Sequence, residues 1–393
     1  MKLSRTIFSA AFLAHVSIAC LCLAPSVFSR DVLRAATRKT SVKSAVAERV
    51  RNEMPLESSF VLLNGGACRA IGRRLCNKRV MCGNGVVCES RISIPSDSGT
   101  AGCEYTRWLN GVCKGRGIPF VFVVAPAKAD AGRTMFPRGW DCGGDVNSWA
   151  HARCEEFRAE GMEVVDLTSR YTATPADVRR NFFKTDHHWN IRAAFDAAHV
   201  VANKLSEVLS LPALRNHPHS DPANWEWRMM RDSFVGSHGR RTGAWFSGLD
   251  DFEYAVPRFK THMARELFRT GAVWEGAFED SVITKSRLEE TGKEMRYSIV
   301  CGGDSRWLDL QRVQKDRRMR ISNFLAPCEK RVMISQDSFG LPFAAYLSPL
   351  FKETLVNDPR NMPPGLDEEK MIADYRPDVV IRIVYATTLA VKH

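Results

Sequence analysis

The stretch RVMISQDSFG at 331–340 runs from an apolar, β-rich segment straight into a serine. Its first six residues, 331–336, are typical of a strand buried on both faces of a sheet. The segment 341–351 that follows has its apolar residues at helical spacing. Ser338 is therefore predicted to lie at a strand-to-helix turn on the carboxyl edge of the sheet, where open α/β sheets bind ligands.

Further β-rich apolar runs share the character of 331–336, and amphipathic stretches separate them. These runs lie at 118–126, 162–167, 353–358 and 378–385. The clearest helix between them covers 191–205, with Asn190 placed to cap its start, and weaker helical patterns cover 341–351 and 365–375. The alternation predicts an α/β fold in which helices flank a parallel sheet on both faces.

The ends of the chain and one internal segment set its organisation. Residues 1–29 combine basic residues with a long apolar run, which is typical of a signal peptide or a signal anchor. Residues 30–59 are polar and basic, as in a linker. The folded domain is expected over 60–393. An insertion at about 215–300 is expected to form loops and short helices that contribute substrate contacts.

Composition and charge exclude some classes of protein. The chain has 393 residues, 45% hydrophobic and 25% charged, which fits a globular domain rather than a disordered one. Its net charge of +12 suits an acidic partner such as an anionic polysaccharide, or simply a solvated basic surface. The basic run at 312–320 lacks the interleaved aromatic residues that stack nucleobases, so we expect no nucleic-acid partner.

The cysteines beyond the apolar N-terminus are even in number, which predicts disulfides in an exported chain. No CxxC pair occurs among those at 68–154, so a zinc site is less favoured. Cys301 and Cys328 lie apart from the others and are predicted to pair, with a stabilisation of about 3–4 kcal/mol. The ten positions are Cys68, Cys76, Cys82, Cys88, Cys103, Cys113, Cys142, Cys154, Cys301 and Cys328.

The motif TDHHWN at 185–190 comes directly before the helix that Asn190 caps. A carboxylate two residues before an imidazole can hold one tautomer of the ring and leave the other nitrogen free to act as a base. We therefore expect Asp186 to orient His188, with His187 pointing elsewhere. The residues alone leave two alternatives open. His187 could take the role of His188, or the motif could be only a polar turn before a helix.

A metal site is the alternative use of these residues. It would join Asp186, His187 and His188 to His217 and His219. Adjacent histidines rarely reach one ion together, and the chain has no HExxH-like spacing around them. We expect neither a metal nor a soluble cofactor.

A serine needs a base to become a nucleophile, so the motifs at 185–190 and 335–340 make chemical sense only together. The pair TDHHW and DSF resembles the alginate O-acetyltransferase family of SGNH-hydrolase-like proteins, also called DHHW proteins. Supporting similarity lies, in family order, at 60–80, 116–130, 242–261, 356–360 and 375–381.

This resemblance implies a permuted SGNH-hydrolase-like three-layer sandwich in which Ser338 carries an acyl group, His188 is the general base and acid, and Asp186 orients it. It also implies transfer of acetyl to a polysaccharide hydroxyl outside the cytoplasm, with a membrane protein as an acetyl donor. Gln336 stands where the family usually has glycine. Asn323 is the candidate for a further oxyanion-hole group. Capping of the next helix by Asp337 and Ser338 is the structural alternative.

Two other functions fit the same residues. A carbohydrate esterase would use the same triad with water as the acceptor, because the acceptor is selected by site shape rather than by triad identity. A secreted carbohydrate-binding or assembly protein would keep the fold without the chemistry. The presence of all three triad residue types argues against that last class.

Overall fold

The computed structural model describes residues 57–92, 100–215, 217–283 and 318–390. These residues form two compact units, of which the smaller comprises 57–77 and 239–248. The predicted signal segment, most of the predicted linker and Cys301 lie outside the described residues. No helix within the described ranges is long and apolar enough to cross a membrane.

The smaller unit pairs a long helix with a short one. Helix α1, Glu57–Ala70, is followed by the two-residue strand β1, Leu75–Cys76. Helix α1 packs against the short helix Ala244–Ser247. Gly65 permits this contact, because a Cβ atom there would lie 2.0 Å from the carbonyl oxygen of Thr242.

The larger unit contains most of the secondary structure. Its helices are α2 Ala101–Gly115, α3 Val146–Ala159, α4 Pro175–Asn181, α5 Ile191–Val208, α6 Pro212–Arg215, α9 Gly340–Leu347 and α10 Glu368–Tyr375. Helix α7, Ser237–Thr242, begins in the larger unit and ends in the smaller one, and α8, Ala244–Ser247, belongs to the smaller unit. Its strands are β2 Arg79–Met81, β3 Val87–Glu89, β4 Phe120–Ala125, β5 Glu163–Asp166, β6 Trp225–Phe234, β7 Asp250–Pro257, β8 Met263–Leu267, β9 Ala272–Gly276, β10 Met319–Asn323, β11 Cys328–Gln336, β12 Phe351–Asn357 and β13 Val379–Tyr385.

The main sheet has eight strands in the order β5-β4-β13-β11-β12-β10-β8-β9. The first five are parallel, and they are the five strands predicted from the sequence. The other three are antiparallel, so the predicted parallel sheet is in fact a mixed one. Strands β8 and β9 are joined only by 268–271, and so short a connection allows only antiparallel pairing. The permuted strand order stays a prediction.

Helices cover both faces of the parallel strands. On one face, Arg382 of β13 bonds Thr106 of α2, and Phe157 of α3 meets Phe122 edge-on at a ring distance of 5.1 Å. On the other face, α9 packs against α5. Asn190 caps α5 as predicted, because its side chain accepts a hydrogen bond from the Ala193 N–H.

The predicted insertion at 215–300 differs from expectation. Instead of loops and short helices alone, its described part contains the antiparallel pair β6 and β7, which starts at Trp225 opposite Pro257, and the strands β8 and β9. The pattern of β6 hides its strand character, because WEWRMMRDSF has only Trp225 fully buried and polar residues at adjoining positions.

The nine described cysteines are all buried free thiols, so the expected disulfides are absent from the described part of the chain. In two pairs one thiol acts on the other: burial and the thiol of Cys68 raise the pKa of Cys76, and the thiol of Cys88 raises the pKa of Cys82. An even count carries no information about which side chains face each other. Burial raises the pKa of Cys103 to about 11, so it behaves as a small apolar core residue. The predicted partner of Cys328 lies outside the described residues.

A buried polar network lies beneath the end of β11. The carboxylate of Glu368 accepts hydrogen bonds from the Tyr105 hydroxyl at 2.9 Å, the Ser335 hydroxyl at 3.1 Å and the Asn357 amide at 2.7 Å. The Ser335 hydroxyl also accepts a bond of 3.1 Å from the guanidinium of Arg382. Both charged side chains are fully buried, so each depends on the other for compensation.

We predict that Glu368→Ala lowers the free energy of unfolding by about 3–5 kcal/mol, because it removes the charge that compensates the buried Arg382 cation and an acceptor from three polar groups. Glu369→Ala is the matched control on the same helix. Glu369 is half exposed and pairs with Arg116 at the surface, so its loss should cost no more than about 1 kcal/mol. Urea denaturation of both variants measures the difference, and equal costs would contradict the role of the network.

Candidate functional site

Ser338 lies in the turn between the end of β11 at Gln336 and the start of α9 at Gly340, as predicted. The buried carboxylate of Asp337 holds this turn. It accepts hydrogen bonds from the Phe339 N–H at 2.9 Å, the Tyr385 N–H at 2.7 Å and the Thr388 hydroxyl at 2.7 Å. Asp337 therefore fastens the turn to the end of the neighbouring strand β13.

Gln336 fits into this turn because Gly340 has no side chain. Gln336 is 3% exposed, and a Cβ atom at Gly340 would lie 2.3 Å from its amide oxygen. The glutamine that replaces the family's glycine at 336 is thus accommodated by a glycine four residues later, at 340.

The histidine motif forms a tight loop between α4 and α5. An antiparallel bridge pairs Phe182 with Trp189, and the Asn190 N–H donates to the Asn181 carbonyl at 2.8 Å. The buried Trp189 indole donates to the carbonyl of Phe339 at 3.1 Å. This bond joins the loop directly to the turn that carries Ser338.

The two motifs meet side chain to side chain. The Ser338 hydroxyl oxygen lies 2.8 Å from Nε2 of His188, and Nδ1 of His188 lies 2.6 Å from Oδ1 of Asp186. Both distances are within hydrogen-bond reach. His187 lies beside the His188 ring at 3.8 Å between ring centres, and its Nδ1 meets the Ser237 hydroxyl at 2.7 Å. His188 is therefore the histidine that contacts the serine.

Burial and charge set the protonation states of this pair. Burial works to raise the pKa of Asp186, but His188 and His187 hold that pKa well below its usual range. The pKa of His188 is lowered, first by burial and then by the nearby His187, while Asp186 opposes the shift. An ionised carboxylate can only accept, so Nδ1 of His188 carries the proton and Nε2 is left to accept one from the serine.

The far oxygen of the Asp186 carboxylate is also fixed. The Ser237 N–H donates to Oδ2 at 2.5 Å. Gly236 makes this approach possible, because a Cβ atom at Gly236 would lie 2.3 Å from the Cβ of Asp186. Gly236 and Ser237 lie within the segment 215–300, where substrate contacts were expected. Their observed contact instead fixes the carboxylate of Asp186.

Two buried charged residues that the sequence analysis did not single out contact the loop at 183–186. The ammonium of Lys128 is bonded to backbone carbonyls of the loop, and the carboxylate of Asp250 is bonded to its N–H groups. The signals available in the sequence were a lysine just past the apolar strand at 118–126 and an Asp-Asp pair before an apolar run.

The expected oxyanion groups need correction. Asn323 lies at the end of β10, which runs antiparallel to β12, so it sits at the amino edge of the parallel strands, opposite Ser338. Its amide donates to the Pro349 carbonyl and accepts from the Leu325 N–H. The prediction of Asn323 as an oxyanion-hole residue is therefore wrong. The sequence did not show that the strand of Asn323 runs antiparallel to the strands of the parallel part of the sheet.

The first N–H groups of α9 are also occupied. The Phe339 N–H is bonded to the Asp337 carboxylate at 2.9 Å, and the Gly340 N–H to the Asp337 carbonyl at 3.1 Å. These two groups are therefore already engaged and are not free to bind an oxyanion at the start of the helix.

The donor atoms of Asp186, His187 and His188 lie within 4.8 Å of one another, close enough to hold a metal ion. His217 and His219 do not join this group; His219 stacks on Phe259 at 3.7 Å between ring centres. The nitrogens of His188 and the carboxylate of Asp186 are already engaged with each other and with Ser338 and Ser237.

Comparison with known proteins finds a similar family for part of the chain. Residues 101–223 match the family model described as "SGNH hydrolase-like domain, acetyltransferase AlgX". The resemblance predicted from TDHHW and DSF is thus confirmed: residues 101–223 are similar to an SGNH hydrolase-like domain of the acetyltransferase type. No curated protein sequence matches the chain significantly.

Among solved structures, the chain is similar to Bacillus cereus PatB1 with a sulfonyl adduct, at 16% identity over 78% of this chain and 94% of that chain, with a TM-score of 0.59. It is also similar to a DHHW family protein from Eubacterium siraeum DSM 15702, at 18% identity over 81% of this chain and 93% of that chain, with a TM-score of 0.54. At these identities the similarity shows the shared fold.

We predict that Gly236→Ala destabilises the protein by about 1–3 kcal/mol, because the new methyl group must displace Asp186 or the backbone beside it. Gly111→Ala is the control. Gly111 lies within α2, and a methyl group there would meet no atom within 4 Å, so alanine should stabilise by about 0.5–1 kcal/mol. Thermal unfolding of both variants decides, and a harmless alanine at 236 would contradict the close approach.

Proposed function

We propose that this protein is an O-acetyltransferase that moves an acetyl group through a serine acyl-enzyme to a hydroxyl of a polysaccharide. The observation that carries the proposal is the chain of contacts from Ser338 through His188 to Asp186, at 2.8 and 2.6 Å. The match of residues 101–223 to an acetyltransferase family supports the choice of reaction.

In the first half of the reaction, Nε2 of His188 takes the proton of the Ser338 hydroxyl as its oxygen attacks the acetyl carbonyl of the donor. A bond forms between Oγ and the carbonyl carbon, and the tetrahedral oxyanion is stabilised by the N–H of Ser338 itself. The bond to the leaving group then breaks, and His188 returns the proton to that group. Asp186 stabilises the imidazolium and holds its orientation.

In the second half, a sugar hydroxyl takes the place of the leaving group. His188 accepts the proton of that hydroxyl while its oxygen attacks the acetyl carbon of the acyl-enzyme. The ester bond to Ser338 breaks, and Ser338 regains its proton from His188. The products are an O-acetylated glycan and the free enzyme, so protons and acetyl groups balance over the cycle.

The setting of this reaction follows from the rest of the chain. The basic and apolar segment at 1–29 supports an enzyme that works outside the cytoplasm, where polysaccharides are accessible. An acetyl donor there would come from a membrane protein. The net charge of +12 favours an anionic glycan as the acceptor.

We predict that Ser338→Ala abolishes acetyl transfer and labelling by a fluorophosphonate probe, with little change in thermal stability, because the hydroxyl serves chemistry rather than packing. Ser348→Ala is the matched control. Ser348 is buried at the end of α9, and its hydroxyl donates to the Ala345 carbonyl. Its loss should cost about 0.5–1.5 kcal/mol of stability and leave labelling intact. Activity retained by Ser338→Ala would refute the assignment.

Transferase and esterase are separated by the acceptor. Purified protein is incubated with a chromogenic acetyl ester, with and without candidate glycans, and both acetate and acetylated glycan are measured. A transferase releases chromophore faster with the glycan and acetylates it, because the sugar hydroxyl resolves the acyl-enzyme. Equal release with acetate as the sole product would establish the esterase, and no labelling or release would favour a catalytically silent protein.

We predict that, as the pH is lowered, the rate of fluorophosphonate labelling falls with a midpoint below about pH 6.5, the ordinary histidine pKa. The reason is that the pKa of His188 is lowered, so the base stays neutral to lower pH. His187→Asn removes a neighbour that lowers this pKa, so its acid limb should move to higher pH. A wild-type midpoint above 6.5, or an unchanged midpoint in His187→Asn, would contradict these electrostatics.

A further inference from the structure

Lys128 lies in the loop after β4 and is 4% exposed. Its ammonium nitrogen is surrounded by backbone carbonyl oxygens from two parts of the chain. The distances are 2.9 Å to Val87, 2.5 Å to Phe183, 3.0 Å to Lys184 and 2.7 Å to Asp186. Three of the four acceptors thus belong to the loop that carries Asp186 and leads into His188.

The cage fits a charged ammonium. Carbonyl oxygens only accept hydrogen bonds, and an ammonium offers three N–H groups to the four of them. A neutral amine would offer only two N–H groups and would turn its lone pair toward an oxygen. Burial lowers the pKa of Lys128, while Cys88 and the carboxylates of Asp250 and Asp186 oppose that shift. A cation at this position is compensated by the carbonyl dipoles and by the two carboxylates.

Asp250 completes the arrangement from the other side of the loop. Its carboxylate accepts hydrogen bonds from the N–H of Lys184 at 2.6 Å, the N–H of Thr185 at 2.7 Å and the Thr185 hydroxyl at 2.5 Å. The peptide groups of the loop therefore have their oxygens on a buried cation and their hydrogens on a buried anion. Both charges act on the backbone of the loop rather than on the reacting side chains.

We propose that Lys128 is a positioning residue for the Asp186–His188 pair. Its ammonium fixes the backbone carbonyl of Asp186, and this determines where the carboxylate of the same residue meets Nδ1 of His188. The inference rests on the proposed function only in that the reactivity of Ser338 is its readout. A displacement of about 1 Å in such a group can lower a rate by about 10²-fold.

The test compares Lys128→Met with Arg265→Met in the full chain. Arg265 is also a buried cation, but it lies on β8, three strands from β11 in the sheet. Both variants should lose thermal stability. Lys128→Met should also lower the second-order rate of fluorophosphonate labelling at Ser338 by about 10²-fold in the folded protein. Arg265→Met should label at the wild-type rate.

A second readout is the proton NMR signal of the hydrogen bond between His188 Nδ1 and Asp186, assigned by its loss in Asp186→Asn. The downfield signal should disappear or shift in Lys128→Met and persist in Arg265→Met. If Lys128→Met does not fold, Lys128→Gln decides: its neutral amide has only two donors for four carbonyl oxygens, so the protein can fold while labelling still falls below the wild-type rate. A wild-type labelling rate and an unshifted signal in either folded variant would overturn the proposal.

Failure of the proposed function looks different. If wild-type protein transfers no acetyl group but Ser338 still reacts with the probe, the reaction assignment fails and the role of Lys128 remains measurable. If wild-type Ser338 does not react at all, both fail together, and the positioning role is then rejected because there is no activated serine to position.

Discussion

The hydrogen bond between Ser338 and His188 joins two loops that lie 150 residues apart in the chain. Neither loop is held by its own sequence neighbours alone. The indole of Trp189 donates to the carbonyl of Phe339, so the residue after the base binds the residue after the serine. The distance between the two reacting groups is thus set by backbone contacts, which is what a proton transfer over 2.8 Å requires.

Buried charged side chains hold the backbone in two places around this contact, the turn at Ser338 and the loop at 183–186. The Asp337 carboxylate binds N–H groups of Phe339 and Tyr385, and Lys128 and Asp250 bind the oxygens and hydrogens of the loop at 183–186. Each of these charges would be costly if left unpaired. Here each charge is hydrogen-bonded to backbone groups, which offsets that cost and holds the backbone rigid at the place where geometry decides the rate.

In the mixed sheet, the parallel strands position the site, and the antiparallel strands extend the sheet away from it. The five parallel strands bring the carboxyl ends of β4, β11 and β13 to one edge. Lys128 follows β4, Ser338 follows β11, and Tyr385 is the last residue of β13. The antiparallel strands β10, β8 and β9 extend the sheet on the side of β12 and carry none of the groups in the serine–histidine contact. Asn323 illustrates the distinction, since its antiparallel strand ends at the opposite edge from the nucleophile turn.

By itself the sequence determined the five parallel strands, the cap of α5 at Asn190 and the chemical types in TDHHW and DSF, because these depend on neighbours within about ten residues. The tertiary structure alone decided that His188 rather than His187 meets Ser338. It also decided that the described cysteines are free thiols and that Lys128 binds the loop of Asp186. These outcomes depend on strand direction and on contacts between distant segments, which local patterns do not encode.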